Sequence, residues 1–259
     1  MKPTDPSAAR PALEAENLGR EFGGLKAVDG LSFSVAAGEI VGLVGCNGAG
    51  KTTTMRALSG ILRPTSGQVR VGSFNVWQNP AEAKRRLAYI PDTIHPYDLL
   101  TVEEHLQFIA LAYRVENFEA RAGALLEELN LSHKRNEVAS SLSRGMQQKL
   151  SLACAFLRDP AIIILDEPLT GLDPVGIRNI KESIRRRAGD GTSFLISSHL
   201  LHLVETLCDR VMIMHRGRKV AMGSIEEIRQ FASLDRGAAF EDIFLAVTDQ
   251  PSDAEFIHA

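Results

Sequence analysis

The feature that most constrains the fold is a glycine-rich segment at residues 45–52, which spells GCNGAGKT and fits the pattern G-x-x-x-x-G-K-[ST]. Its glycines let the backbone wrap so that consecutive N–H groups point at phosphate oxygens. Lys51 would supply a positive charge to the β- and γ-phosphates, and the hydroxyl of Thr52 would reach Mg²⁺. The residues expected to contact a nucleotide are Asn47, Gly48, Ala49, Gly50, Lys51, Thr52 and Thr53.

The surroundings of this segment argue against a chance match, which would arise in roughly one chain of this length in a hundred. The apolar run at residues 40–44 is typical of a buried strand, and residues 51–62 have the pattern of a helix, with Pro64 just beyond it. A phosphate loop has to follow a strand and open a helix, whose N-terminal dipole then favours the anion. The sequence therefore predicts nucleotide binding.

Strand and helix patterns alternate along most of the chain. The predicted strands are residues 13–18, 31–35, 40–44, 68–76, 162–165, 193–197 and 211–214. The predicted helices are residues 51–62, 177–187, 200–207, a helical block at 99–159 and a short helix around 240–245. Thr101 and Glu104 form a capping box at the start of the block. This order indicates a parallel α/β sheet into which a helical subdomain is inserted.

Composition excludes several classes of protein. The 259 residues are 44% hydrophobic and 24% charged, which excludes a disordered, collagen-like or coiled-coil chain. The formal net charge is −3, so no basic excess points to nucleic acid, and no nucleic acid partner is expected. The longest apolar runs are about five residues, whereas a bilayer span needs about twenty. Three scattered cysteines without metal-ligand spacing favour reduced thiols, so we expect a cytoplasmic protein with a mobile tail at residues 1–11.

Two adjacent carboxylates follow the apolar run at residues 162–165. A parallel strand delivers its carboxyl end to the ligand crevice of a sheet. Asp166 would hold Mg²⁺ there, and Glu167, which points in another direction, would polarise an attacking water. An acid pair after a strand is by itself more often a solvated turn. With the phosphate loop upstream, it is the expected second half of a site that hydrolyses a nucleoside triphosphate.

Residues 142–148, which spell LSRGMQQ, narrow the family. They resemble the signature of ATP-binding cassette (ABC) ATPases, whose plainest form is LSGGQ, and the order of motifs resembles that family over roughly residues 12–245. An adenine-stacking aromatic residue, the Q-loop, the D-loop and the switch histidine match at Phe22, Asp92, Asp173 and His199. The resemblance implies a RecA-like P-loop NTPase core with a mostly parallel sheet, an N-terminal antiparallel β subdomain and an inserted helical subdomain.

The resemblance also implies how ATP and Mg²⁺ are used. Two such domains, expected here to be a homodimer, pair head to tail with ATP between them. Ser143 and the N–H of Gly145 would contact the γ-phosphate held by the phosphate loop of the partner. His199 would hydrogen-bond the γ-phosphate and hold the geometry of the water beside Glu167, which makes it a catalytic residue. Asp173 would bridge the two subunits.

Three of these residues have plainer interpretations when taken alone. Phe22 would stack on adenine in the family, yet a lone Phe after a charged pair is more often a core residue. His199 by itself would be a histidine at the end of a strand. Asp173 by itself would be a turn residue beside Pro174. The functional interpretation of all three depends on the train of motifs around them.

Two positions depart from the plain family pattern. Asp92 stands where Gln is usual; a carboxylate can still approach Mg²⁺ and the attacking water, so Asp92 is a candidate catalytic and metal-binding residue, but it has one fewer methylene and no donor. In the signature, Arg144 replaces Gly and Met146 replaces Gln. Arg144 either adds positive charge near the phosphate of the partner or faces solvent. This signature resembles a subgroup in which a separate nucleotide-binding subunit serves a membrane permease of the ABC-2 exporter type.

The resemblance predicts the ATPase subunit of a transporter, held on the inner face of the cell membrane by integral membrane permease subunits, and the subgroup favours export. The apolar stretch at residues 97–113 is either core of the helical subdomain or part of a groove for a short permease helix. The candidates for that groove are Ile94, Tyr97, Leu99 and Leu100. One alternative is a soluble ABC-type ATPase that remodels nucleic acid or ribosomes, although those usually carry two cassettes. Another is a regulatory nucleotide-binding protein without turnover, which the intact set of site residues disfavours.

The same patterns predict the domain organisation. We expect a tail at residues 1–11, a nucleotide-binding domain at 12–228 with its helical subdomain at about 93–158, and a short extension at 229–259.

Cys46 lies where the loop would cross the phosphates. It is either a small loop filler or a thiol whose alkylation blocks nucleotide binding.

Overall fold

The computed structural model describes residues 10–233, 235 and 238–248. The strands are β1 (Leu13–Phe22), β2 (Leu25–Val35), β3 (Ile40–Val44), β4 (Ser66–Val71), β5 (Phe74–Asn75), β6 (Leu87–Ile90), β7 (Ile162–Asp166), β8 (Ser193–Ser197), β9 (Arg210–His215) and β10 (Arg218–Gly223). The helices are α1 (Lys51–Leu58), α2 (Pro80–Arg86), α3 (Val102–Tyr113), α4 (Phe118–Glu128), α5 (Arg144–Leu157), α6 (Pro174–Gly189), α7 (Leu201–Leu207), α8 (Ile225–Phe231) and α9 (Phe240–Thr248). Residues 1–9 of the predicted tail and 249–259 of the predicted extension lie outside the described residues.

The described strands form two sheets. The larger has the order β10-β9-β3-β8-β7-β6, and its neighbours run parallel except for the antiparallel pair of β10 and β9. The smaller has the order β2-β1-β4-β5, with every pair antiparallel. Helices α3, α4 and α5 lie between β6 and β7 in the chain. The predicted fold class, a mostly parallel core with an antiparallel N-terminal sheet and an inserted helical block, is confirmed.

Strand β7 shows why the core forms as a layer. All five of its residues are buried, so it carries a continuous apolar run rather than an alternating one. Ile163 and Leu165 pack in a cluster with the buried residues of α3, α4, α5 and α6. Ile162 and Ile164 point to the other face, where they pack with α1 and the small sheet. The larger sheet is therefore covered on both faces.

Several predicted boundaries need correction. Helix α1 ends at Leu58 and not at residue 62, because Gly60 takes a left-handed φ of 72° and the N–H groups of residues 61 and 62 turn back to the carbonyl of Arg56. The single strand predicted at residues 68–76 was wrong, since a turn at Gly72, with φ 57°, divides it into β4 and β5. Four elements were missed: α2, β6, β10 and α8.

The C-terminal end of the described chain packs onto the larger sheet. The short helix predicted around residues 240–245 is present as α9, where Phe240, Ile243 and Val247 are buried in a cluster with residues of β9 and α8. In the described part of the chain, no helix combines the length and the apolar character needed to span a membrane.

A cluster of charged residues ties the helical block to α6. The carboxylate of Glu128, at the end of α4, accepts hydrogen bonds from the guanidinium of Arg187 at 2.7 and 3.0 Å, and from the hydroxyl of Ser183. Arg186 lies 2.6 Å from the same carboxylate. Burial alone would raise the pKa of Glu128, but these donors outweigh it and lower the pKa to about 2. Glu128 is therefore ionised at neutral pH and holds the two units together.

Candidate functional site

The site residues follow four neighbouring parallel strands. Across the middle of the larger sheet, Leu43 of β3 pairs with Ser197 of β8, and Ser197 pairs with Asp166 of β7. On the far side, Leu165 of β7 pairs with Ile90 of β6. Because parallel strands end at the same edge of a sheet, the segments that follow β3, β8, β7 and β6 meet there. These segments carry the phosphate loop, His199, the acid pair and Asp92.

The phosphate loop borders a cleft of about 500 Å³. The residues that line the cleft are Leu25, Lys26, Ala27, Asn47, Gly48, Ala49, Gly50, Lys51, Thr52, Thr53, Arg216 and Gly217. The ammonium group of Lys51 donates to the carbonyl oxygens of Gly45 at 2.6 Å and Cys46 at 3.3 Å, which closes the loop over its own backbone. All seven residues predicted from the loop motif therefore face one cleft.

Glycine is required in the loop because other backbone passes close to it. At Gly50, φ is 100° and a Cβ would lie 2.3 Å from the carbonyl oxygen of Ala27. At Gly45, a Cβ would lie 2.5 Å from the carbonyl oxygen of Met214. No Cβ can lie this close to a backbone atom, so neither position accepts a larger residue. At Gly50 the φ of 100° also favours glycine, because residues with a side chain rarely adopt it. The first and sixth positions of the motif are thus fixed by packing against β2 and β9.

The second wall of the cleft was missed by sequence reasoning. It comes from the first three residues of β2, Leu25, Lys26 and Ala27, and from the turn between β9 and β10, at Arg216 and Gly217. The Arg-Gly pair between two apolar runs is a turn signal in the sequence. Nothing local to that turn indicates that it lies beside the phosphate loop, because the contact depends on the sheet order.

Asp166 lies at the end of β7 and is 1% exposed. Its Oδ1 accepts a hydrogen bond of 2.5 Å from the hydroxyl of Ser197. Its Oδ2 is buried, and no donor among the described residues reaches it. Burial raises the pKa of the nearby Tyr89, and the negative charge of Asp166 adds to the rise. A buried carboxylate oxygen without a donor fits a divalent cation, so the residues present suit Mg²⁺.

Glu167 and His199 are in direct contact. The Oε2 of Glu167 lies 2.8 Å from the Nδ1 of His199 and 3.4 Å from its backbone nitrogen. The side chain of Glu167 is 17% exposed and that of His199 is 59% exposed, so the pair stands at the mouth of the sheet edge. The structure therefore brings together two residues that the sequence relates only through the family motifs.

The backbone of Glu167 is held in an unusual conformation. Its φ is 51°, in the left-handed region, which costs a non-glycine residue of order 1 kcal/mol. The N–H of Glu167 donates to the carbonyl oxygen of Ser197 at 3.2 Å and to its hydroxyl at 3.0 Å. Ser197 thus fixes both acids of the pair, since it also donates to Asp166. This partner was missed, although it precedes His199 by two residues.

The signature residues lie at the start of α5, next to the D-loop. The hydroxyl of Ser143 caps the helix by accepting from the N–H of Met146 at 3.4 Å. A Cβ on Gly145 would lie 3.0 Å from the carbonyl oxygen of Gly171. The carboxylate of Asp173 caps α6 and accepts from the N–H of Gly176 at 2.9 Å. Within its own subunit, Asp173 therefore acts as a helix cap.

Several predicted site residues lie apart from the cleft. Phe22 ends β1 and is exposed, with the guanidinium of Arg20 4.3 Å from the centre of its ring. Among the described residues, those that line the cleft include neither Phe22 nor the signature residues Ser143 and Gly145. Asp92 is exposed on the loop after β6, 3.7 Å from Arg144. Within one subunit, the predicted site residues therefore fall into separate groups: those of the phosphate-loop cleft, and the signature residues at the start of α5.

A second cavity, of about 280 Å³, lies between the loop after β6 and the helical block. Ile94 and Tyr97 line it, and so do Ile109 and Arg158. Tyr97, Leu99, Phe108 and Leu111 are exposed apolar residues of the same region, with Leu99 87% exposed. Leu100 is half-buried, and its carbonyl accepts from the N–H of Ala139. The region predicted as either core or groove therefore has an exposed apolar surface.

Comparisons with known proteins agree with this geometry. The sequence profile of the ABC transporter family matches residues 28–170. The ABC-type transporter ATP-binding protein EcsA of Bacillus subtilis is 37% identical over 228 residues, which is 87% of this chain and 92% of EcsA. The Nod factor export ATP-binding protein I of Paraburkholderia xenovorans is 38% identical over 217 residues, 82% of this chain and 71% of that protein. A solved ATP-binding subunit of an ABC transporter superposes with a TM-score of 0.87 at 35% identity, covering 91% of this chain and 99% of its own.

Proposed function

Because the chain belongs to the ABC transporter family and is an ATP-binding, ATP-hydrolysing subunit of it, we propose that ATP lies in the cleft of the phosphate loop and is hydrolysed at the edge formed by β7 and β8. The nucleotide-binding domain comprises residues 12–228, with a helical subdomain at about 93–158 and an extension at 229–259. Asn47, Gly48, Ala49, Gly50, Lys51, Thr52 and Thr53 bind the phosphates, and Phe22 stacks on adenine.

The contact of 2.8 Å between Glu167 and His199 carries the proposed mechanism. A carboxylate that holds a histidine at the end of two parallel strands can act on a water beside the γ-phosphate. Glu167 polarises that water, and His199 hydrogen-bonds the γ-phosphate and keeps the water in place. Both side chains are positioned before the substrate arrives, because Ser197 fixes the backbone of Glu167. This preorganisation lowers the entropic cost of the step.

The residues that would hold Mg²⁺ are the hydroxyl of Thr52, the carboxylate of Asp166 and the carboxylate of Asp92. The free Oδ2 of Asp166 supports this assignment most directly. When bound, the ion supplies positive charge that neutralises the phosphate oxygens. Ser197 orients the carboxylate of Asp166, since its hydroxyl donates to Oδ1.

The separation of the groups within one chain supports a dimer. Ser143 caps α5 and Gly145 lies in its first turn, and among the described residues neither lines the cleft of its own subunit. A helix N-terminus suits an anion, so we assign these groups to the γ-phosphate of a second copy. Asp173 bridges the two subunits. ATP then has a higher affinity for the closed dimer than for the open one, which is what coupling to movement requires.

As an ABC transporter subunit the chain works with a membrane permease. We propose that the permease holds it on the inner face of the cell membrane. Tyr97 lines the second cavity, and its ring packs edge-on against that of Phe108. Both side chains are exposed, as is Leu99 two residues after Tyr97, and these three residues support a docking site for a permease helix. Similarity to a protein named for Nod factor export, together with the LSRGMQQ signature, supports export.

Capture of the tagged chain from gently solubilised native membranes tests the assignment to a transporter. The expected result is a stoichiometric multi-span membrane protein identified by mass spectrometry. Changing Leu99 and Phe108 to Ser should reduce that capture while ATPase activity of the isolated chain stays intact. Recovery of ribosomes or nucleic acid without a membrane protein would instead favour the soluble remodelling ATPase.

A further inference from the structure

The two departures from the plain family pattern are neighbours in space. Asp92 lies two residues after β6, and Arg144 is the first residue of α5, 52 residues later in the chain. Their side chains meet, with 3.7 Å between Oδ1 of Asp92 and Nη2 of Arg144. A Gln and a Gly at these positions would carry no charge. The positive charge of Arg144 therefore compensates the negative charge of Asp92, and Arg144 has an ion-pair partner within its own subunit.

The position of Arg144 in the helix explains why it needs an acid. Arg144 follows the cap residue Ser143, where the helix dipole is positive and disfavours a cation. The first turn of α5 holds no acidic residue that would offset it. Asp92 supplies the negative charge from a different segment of the chain. The charge of Arg144 is thus balanced only while the loop after β6 stays next to α5.

Arg144 also contacts the turn that leads to the D-loop. Gly171 has a φ of 82°, and a Cβ built on it would lie 3.4 Å from Cδ and 3.6 Å from Cγ of Arg144. The stem of the arginine therefore lies over this turn while its guanidinium reaches Asp92. A Cβ on Gly145 would lie 3.0 Å from the carbonyl oxygen of Gly171, so the backbone at the start of α5 passes close to the same turn. One side chain joins the start of α5 to the loops that follow β6 and β7.

We propose that Arg144 is a positioning residue that locks the loop of Asp92 and the turn at Gly171 to the signature helix, so that the three segments move as one during the ATPase cycle. The proposal rests on the function proposed above, in which the carboxylate of Asp92 is one of the groups that hold Mg²⁺. Arg144 acts through Asp92 and the turn, and it does not touch the nucleotide of its own subunit. Because the ion pair is exposed, we expect the interaction between Asp92 and Arg144 to change kcat by up to about fivefold.

A double-mutant cycle on the purified full chain tests the lock. The variants are Asp92→Gln, Arg144→Gly, the two combined, and Arg144→Lys. Each single change should lower kcat by up to about fivefold and leave the KM for ATP within about twofold. The combined variant should be less impaired than the product of the single effects, and Arg144→Lys should retain much of kcat because it keeps the charge.

The outcomes separate the lock from the function on which it rests. Arg178→Gly removes a different surface ion pair, with Glu182, and should leave kcat unchanged. Single effects that multiply in the combined variant, or a change in KM alone, would overturn the lock while the wild type still hydrolyses ATP. A wild type that binds ATP without hydrolysing it would overturn the proposed function and the lock together.

Discussion

Replacing Glu128 by Gln should destabilise the protein by about 3 kcal/mol at neutral pH. The pKa of Glu128 falls from its ordinary value of 4.5 to about 2 in the folded protein. That difference of about 2.5 pH units, at 1.36 kcal/mol per unit, corresponds to about 3 kcal/mol. Gln keeps the shape of the side chain but leaves the guanidinium groups of Arg186 and Arg187 without the charge that they contact at 2.6 and 2.7 Å.

The sign of the pH dependence follows from the lowered pKa. A carboxyl group with a lower pKa in the folded state contributes its stability above the unfolded value of 4.5 and loses it as the pH falls toward 2. Urea unfolding of the wild type and of Glu128→Gln at pH 7, 4 and 3 should show a difference that shrinks to about half by pH 3. Exposed Glu127→Gln is the matched control and should stay within about 0.5 kcal/mol of the wild type. Equal stabilities at pH 7, or a difference that does not depend on pH, would refute the reasoning.

Two further predictions concern the phosphate loop. Gly50→Ala should abolish ATP binding measured by calorimetry, because its Cβ would lie 2.3 Å from a backbone oxygen. The control is Gly123→Ala on α4, whose Cβ would meet nothing within 4 Å and which should raise the free energy of unfolding by about 0.5–1 kcal/mol. Normal ATP binding by Gly50→Ala would contradict this account of the loop packing. A maleimide at pH 8 should label exposed Cys46 and spare Cys154 and Cys208, whose pKa burial raises to about 12, as peptide mass spectrometry can check. ATP should protect Cys46 from the maleimide. Labelling at the same rate with and without ATP would contradict the prediction that Cys46 lies beside the bound phosphates.

The parts that sequence predicted well are those where local chemistry decides the structure. The apolar run before the phosphate loop and the run before Asp166 are short and bounded by turn or polar residues, as buried strands are, and both form fully buried strands. The capping box of Thr101 and Glu104 is present because it satisfies backbone groups within one turn. The helix after the loop was predicted too long, since the left-handed turn at Gly60 ends it early.

The parts that sequence missed depend on contacts between distant segments. Strand β6 is four residues long and β10 is half-buried, so neither has a strong pattern of its own, and both exist through pairing with β7 and β9. Gly217, in the second wall of the cleft, lies beside the phosphate loop because β9 pairs with β3, the strand that leads into that loop. The meeting of Asp92 with Arg144 likewise depends on how the helical block is seated on the core, which no local spacing encodes.

The central claim is that Glu167, held by His199 and Ser197, activates the water that hydrolyses ATP. The most direct measurement is steady-state ATPase activity of the wild type and Glu167→Gln, together with ATP binding by calorimetry. Gln has nearly the same shape but does not polarise water as a carboxylate does, so we expect turnover to fall by at least about a hundredfold while ATP still binds. Turnover by Glu167→Gln close to that of the wild type, with intact ATP binding, would contradict the account.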